Sequence, residues 1–241
     1  MVHLKKVTLY PEKYPTEGKY PFSLKILQKT QNMVFTGPVT FFVGENGTGK
    51  STLLKAMCRK CGVYIWEADL LNRRFELNPY EERLFDFIDV EWTDGPVYGS
   101  FFSSQIFQDF VRFLDGSAAA DPGILKYFGG KSLLTQSHGQ SLISLFEARY
   151  RIKGIYFMDE PETALSPKNQ LELLKMLKVF SQRGDAQFII ATQCPILMAC
   201  PGATIFSFDY IPVKPVRYEE TEHFQIYKDF MGHGHEHLSE L

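Results

Sequence analysis

The sequence predicts an α/β fold: a parallel sheet core with flanking helices and a small irregular and helical lobe. Three observations carry it. Val39–Val43 is a short β-rich apolar run that ends at Gly44 in a glycine-dotted loop, with a stretch of helical composition, Lys50–Lys60, directly behind it. A second apolar run, 155–158, ends in two adjacent carboxylates, Asp159 and Glu160. Ser166 and Pro167 then supply an N-cap and a first helical position for a helix to Gln182, and Gly184 closes it before a third apolar run, 187–192. Strands alternating with helices in this order build a parallel sheet, because parallel neighbours need crossover connections.

The remaining elements follow along the chain. Residues 2–10 alternate polar and apolar side chains and predict a strand. Tyr10-Pro11, Tyr14-Pro15 and Tyr20-Pro21 then exclude helix, since proline restrains itself and the residue before it. Residues 63–67 read as a strand, and 70–100, broken by Asn78-Pro79 and Asp94-Gly95-Pro96, as an irregular lobe. Phe107, Phe110, Val111 and Leu114 recur at helical spacing, so 104–115 predicts an amphipathic helix stopped by Gly116. A loop over 115–131 leads to a helix over 140–151, and 204–208 and 219–231 predict a last strand and a terminal helix. The chain reads as one domain over 1–241, with the lobe at about 70–151.

Composition narrows the function. With 44% hydrophobic and 22% charged side chains, 241 residues can bury a real core, which excludes a disordered or low-complexity scaffold. Lys+Arg 26 against Asp+Glu 28, a formal charge of −2, gives no bulk attraction to phosphate backbones or anionic lipid, so a nucleic-acid partner would need a local patch. Four cysteines do not make a disulfide framework, and residues 1–10 do not resemble a signal segment, so a cytoplasmic setting is expected. The longest apolar run, 188–200, is interrupted by Gln193 and Pro195 and is too short to cross a bilayer.

Gly44, Glu45, Asn46, Gly47, Thr48, Gly49, Lys50 and Ser51 satisfy G-x-x-x-x-G-K-[ST] between a strand and a helix. Glycines at these positions let consecutive backbone N–H groups close around a β-phosphate, helped by the helix dipole. Lys50 would neutralise the β- and γ-oxygens, Ser51 would give its hydroxyl oxygen to Mg²⁺, and Thr52 extends the set. Of the two acids, Asp159 is assigned to Mg²⁺ and Glu160 to the attacking water. The chain is therefore expected to bind a nucleoside triphosphate with Mg²⁺ in a P-loop fold.

Between these motifs stands Gln136-Ser137-His138-Gly139-Gln140-Ser141, which resembles the ABC signature L-S-G-G-Q. Asp159-Glu160-Pro161-Glu162-Thr163-Ala164-Leu165-Ser166-Pro167 is similar to the D-E-P-E-x-x-L-[SH]-P pattern of RecF-, SMC- and OLD-like ABC ATPases, and Ala191-Thr192-Gln193-Cys194-Pro195 to the switch segment A-T-H-S-P. The ordered set, over 39–195, resembles small stand-alone predicted ATPases labelled AAA family ATPase. The resemblance implies a nucleotide-sandwich homodimer, in which Ser137, His138, Gly139 and Gln140 of one subunit face the γ-phosphate on the other, acting on a protein or nucleic-acid partner; the apolar runs predict no membrane insertion. It also implies a catalytic role for Glu160 and Gln193, and a Q-loop glutamine near the metal, for which Gln105 is the candidate by order and Gln108 the competitor. An aromatic from the N-terminal region would stack adenine; Tyr14, Tyr20 and Phe22 qualify.

Two departures from the pattern matter. Gln193 stands where the family has histidine; an amide still hydrogen-bonds a γ-phosphate but carries no charge and relays no proton, so slow hydrolysis is expected. His138 replaces a signature glycine, which needs negative φ there. Cys58-x-x-Cys61 reads as buried apolar packing rather than a zinc or redox pair, and His233, His235 and His237 as a polar terminus rather than a metal site. Arg149, Arg151 and Lys153 read as a solvated helix end.

Overall fold

The structure, a computed structural model, describes residues 1–65, 78–121, 123–124, 138–163 and 165–239. A six-stranded sheet in the order β5-β6-β7-β3-β8-β9 forms its centre. Strands β3 (Val39–Val43), β5 (Gly99–Ser103), β6 (Gly154–Asp159), β7 (Ala186–Ala191) and β8 (Thr204–Ser207) run parallel, and β9 (Lys214–Val216) pairs antiparallel to β8. β3, β6 and β7 are buried along their whole length, as strands covered on both faces must be.

Side-chain alternation splits the core in two. Val39, Phe41, Val43, Tyr156, Met158, Phe188 and Ile190 face one layer, filled by α3 (Ser104–Ala120), α4 (His138–Arg149), α5 (Pro167–Gln182) and the short α6 (Pro195–Met198). Phe42, Ile155, Phe157, Ile189 and Ala191 face the other. That layer holds α2 (Lys50–Lys60), α1 (Lys25–Lys29) and a separate three-stranded antiparallel sheet, β2-β1-β4, made of β2 (Asn32–Val34), β1 (Leu4–Leu9) and β4 (Ile88–Trp92). The buried Gln187 amide clamps the two sheets. Its Oε1 accepts from the His3 and Leu4 N–H groups at 2.8 and 2.7 Å, and its Nε2 donates to the Leu4 carbonyl at 2.9 Å.

The predicted bounds of α2 hold, and α5 runs from Pro167 to Gln182 with the Ser166 Oγ accepting from the Asn169 N–H. Four readings are corrected. Residues 63–65 form no strand: Gly62, at φ 71°, and the Val63 N–H bond to the Cys58 carbonyl close the end of α2, and Val63 packs without pairing. Glu67 lies outside the described residues. The stretch read as an irregular lobe over 70–100 is only partly so: among its described residues, a 3-10 turn (Arg83–Phe87) leads directly into β4, and β5 begins at Gly99. Gly116 does not stop α3, because one glycine costs about 1 kcal/mol and the three alanines at 118–120 carry the helix on to Asp121, which precedes a proline. The terminal helix α7 spans Glu222–Ser239, with non-helical backbone at His233, after a 3-10 turn at Tyr218–Glu220.

Candidate functional site

All five parallel strands point their C-terminal ends at one edge, where open α/β sheets bind ligands. β3 delivers Gly44, and the loop turns through φ 138° at Gly44, 80° at Gly47 and 100° at Gly49, angles that L side chains avoid. Gly44 is required twice over: a Cβ there would lie 2.8 Å from the Asp209 Oδ1. Gly49 is the N-cap of α2, and no side chain caps it. Within the loop the Thr48 hydroxyl donates to the Glu45 carbonyl at 2.8 Å.

Lys50 is buried, and its ammonium folds back to donate to the Gly44 and Glu45 carbonyls at 2.6 and 2.7 Å. Burial pulls its pKa down, opposed by the Glu160, Asp209, Asp159 and Glu45 carboxylates. The Ser51 hydroxyl donates to Asp159 Oδ1 at 2.7 Å, bringing together the two side chains assigned to the metal. Asp159 is buried, and desolvation pushes its carboxyl above the ordinary carboxylate range. A carboxylate and a hydroxyl converging beside a phosphate loop are the hard oxygen donors Mg²⁺ takes together with nucleotide phosphates, so the residues present fit that ion.

Glu160 has φ 47°, the one positive-φ non-glycine among the described residues. Its N–H donates to the Ala191 carbonyl at 2.9 Å, and its carbonyl accepts from the Ser104 hydroxyl at 2.7 Å, so the end of β7 and the start of α3 hold this strained backbone from both sides. Gln193 follows β7. Its Nε2 donates to Asn46 Oδ1 at 2.9 Å and to the Gly44 carbonyl at 3.3 Å, and two oxygen acceptors fix which end of the amide faces the loop. Gln105, the second residue of α3, stands just past Ser103, the register partner of Asp159, and is exposed at this edge.

Asp209, at the end of β8, was not singled out in the sequence. Its Oδ1 accepts the Glu45 N–H at 2.9 Å, and its own N–H and Oδ2 bond the Ser207 hydroxyl at 3.2 Å each. An acid just past an apolar strand, the same signal that marks Asp159, could have found it. Asp209→Ala is expected to free the loop backbone and weaken MgATP binding roughly 5- to 30-fold, the equivalent of about 1 to 2 kcal/mol, measured by nucleotide titration. Unchanged affinity would remove Asp209 from the loop's support.

Of the adenine candidates, Phe22 is fully buried and Tyr14 packs on it at a centroid distance of 4.7 Å. Tyr20 is exposed, and its hydroxyl bonds the Thr52 Oγ1 at 2.8 Å, beside the start of α2. In the signature segment Gln136 and Ser137 lie outside the described residues. α4 opens at His138 with Gly139 and Gln140 in its first turn, so His138 has the helical backbone that its Cβ requires.

Burial pushes Cys58 up and Cys61 up to about 12, keeping both as thiols, and among the described residues no group of three His, Cys, Asp or Glu is placed to hold a metal. Arg149 packs on the Tyr98 ring at 5.4 Å and Arg151 pairs with Glu147, so both are tied to neighbouring side chains. Among the described residues no helix is long and apolar enough to cross a membrane.

A family model described as an AAA domain matches residues 22–62, the stretch that holds β3, the phosphate loop and α2. No protein of curated function matches in sequence. Among solved structures, cbiO1 from Clostridium perfringens, part of the ABC transporter complex cbiONQ, aligns at TM-score 0.53 and 19% identity over 100% of both chains. A nucleotide-free ATP-binding cassette from an ABC transporter aligns at TM-score 0.53 and 14% identity over 94% of each chain. An SMC head bound to the C-terminal winged-helix domain of ScpA aligns at TM-score 0.52 and 14% identity, over 89% of this chain and 97% of that one. With its phosphate loop at the head of such a sheet, the chain has the α/β P-loop fold of ABC-type ATPase domains and SMC heads.

Proposed function

We propose that the protein binds MgATP and hydrolyses it to ADP and phosphate in a nucleotide-sandwich dimer that drives or gates a partner. One observation carries this reading: Lys50 and Ser51, Asp159 and Glu160, and Gln193 gather at one edge of a single parallel sheet, with Gln193 and Asp159 each bonded to the phosphate loop or its helix. Mg²⁺, when bound by Ser51 and Asp159 with Gln105 near it, supplies charge neutralisation to the β- and γ-phosphates. The loop N–H groups and Lys50 bind the phosphates, the Gln193 amide donates to the γ-phosphate, and the Glu160 carboxylate orients the attacking water and accepts its proton. Tyr20, exposed and bonded to Thr52, is the aromatic offered to the base. His138, Gly139 and Gln140, at the start of α4, together with Ser137 of the same signature segment, are the residues assigned to the second subunit's nucleotide.

A second reading is favoured by Gln193. A neutral amide neither relays a proton nor places a positive charge at the γ-phosphate, which makes a slowly hydrolysing, ATP-gated clamp the alternative. A third, an energy subunit of a transporter, has the transporter cassettes as fold relatives. Against it stand Glu162 and Ser166, where transport subunits usually have threonine and aspartate.

Phosphate release from MgATP, followed across protein concentrations, tests the first reading. Turnover is expected to rise more steeply than protein concentration, as a dimer-built site requires. A wild type that binds ATP without turnover, while Gln193→His hydrolyses it, would put the clamp in its place.

A further inference from the structure

Glu162 is a further carboxylate at this edge, and the reaction above leaves it without a task. Its Oε1 accepts two hydrogen bonds from the segment after β7, from the Thr192 hydroxyl at 2.6 Å and the Gln193 N–H at 2.9 Å, while its Oε2 is buried with no partner. The Thr192 hydroxyl, itself bonded by the Cys194 N–H at 3.0 Å, is thereby fixed in direction. Two residues earlier the Glu160 N–H bonds the Ala191 carbonyl, so the acidic turn is stitched to the end of β7 at two points. From there the Gln193 side chain reaches Asn46 and Gly44. Contacts thus run unbroken from the Glu160 turn, through the Glu162 carboxyl and the Gln193 backbone, to the phosphate loop.

Burying a carboxyl oxygen without a partner costs stability, and removing such a group for an apolar one is often neutral or better. Burial, and secondarily Glu160, push the Glu162 carboxyl above its ordinary range, which favours the protonated form and softens that cost without satisfying Oε2. The compensation is positional. We propose that Glu162 is a positioning residue whose carboxyl fixes the Gln193 backbone against the Glu160 turn, so that the amide facing the γ-phosphate and the carboxylate facing the water keep a set separation. The inference rests on the roles assigned above to Glu160 and Gln193, and on nothing else in the reaction.

The test uses the full chain as wild type, Glu162→Gln, Glu162→Ala and Thr192→Val. Two quantities are read: hydrogen exchange at the Gln193 N–H without nucleotide, and the ratio of affinities for MgATP and MgADP. Glu162→Ala and Thr192→Val are expected to speed Gln193 exchange roughly tenfold and to cut the preference for ATP by a similar factor, the size of one good hydrogen bond. Core amides in β3 and β6 should keep their protection, and Glu162→Gln, which retains an acceptor oxygen, should keep both quantities within about twofold.

Exchange that rises equally across the core, or a preference for ATP that survives in both Glu162→Ala and Thr192→Val, overturns the proposal by reducing Glu162 to general packing. If Glu162→Ala does not fold, Thr192→Val, which breaks the same link from its other side, decides. A wild type that binds neither nucleotide would sink the ATPase reading alone. Gln193 exchange would still say whether Glu162 holds that segment in place.

Discussion

Glu160→Gln is expected to lower ATP turnover by about 10² to 10⁴-fold while MgATP affinity stays within about threefold, because it deletes the proton acceptor and nothing that binds phosphate. The substitution is clean for a structural reason. Glu160 sits at φ 47° on backbone bonds to Ala191 and Ser104, so glutamine inherits the same anchors and the same direction for its side chain. Asp159, the carboxylate proposed for the metal, is untouched and keeps the Ser51 hydroxyl. Steady-state phosphate release together with equilibrium nucleotide titration separates the two quantities. Equal losses in binding and turnover would show Glu160 to hold the ligand rather than the water.

Lys50→Met is expected to act at the binding step. The ammonium is buried between the loop carbonyls of Gly44 and Glu45, and four carboxylates around it support the charge against desolvation. Charge-assisted bonds are worth about 1.5 to 3 kcal/mol each, so losing two to the phosphates weakens MgATP binding by roughly 10² to 10⁴-fold. Methionine preserves the stem's volume, which keeps the effect from being a cavity in the core. The rise in melting temperature that saturating MgATP gives the wild type should vanish in the variant. A variant that kept this rise would show that the backbone N–H groups and helix dipole suffice.

How much of this could be read along the chain depended on how far apart the interacting residues lie. α2 and the capped start of α5 were legible to the residue, since Gly49-Lys50 and Ser166-Pro167 act on their own backbone within a turn. Gly116 misled because a stop signal was weighed without the three alanines that follow it. β4 was missed because its partner is β1, some eighty residues earlier, and only that pairing makes Ile88–Trp92 a strand. Tyr14, Tyr20 and Phe22 looked alike in sequence. Packing of the buried Phe22 and the half-buried Tyr14 against each other in one core cluster, and exposure of Tyr20 beside Thr52, separate them.

The sequence by itself determined the glycine-rich loop between strand and helix, the acid pair at the end of an apolar strand and the parallel α/β class. Each is written in contiguous residues whose spacing dictates the local backbone. Only the tertiary structure decided that β7 lies between β6 and β3, which puts Gln193 on the phosphate loop and beside the Glu160 turn. It alone placed Asp209 under Gly44 and Glu45, and buried Glu162 against Thr192 with one oxygen unpaired. Strand order and the desolvation of a carboxylate are set by segments distant in the chain that meet only in the packed core, so no local pattern records them.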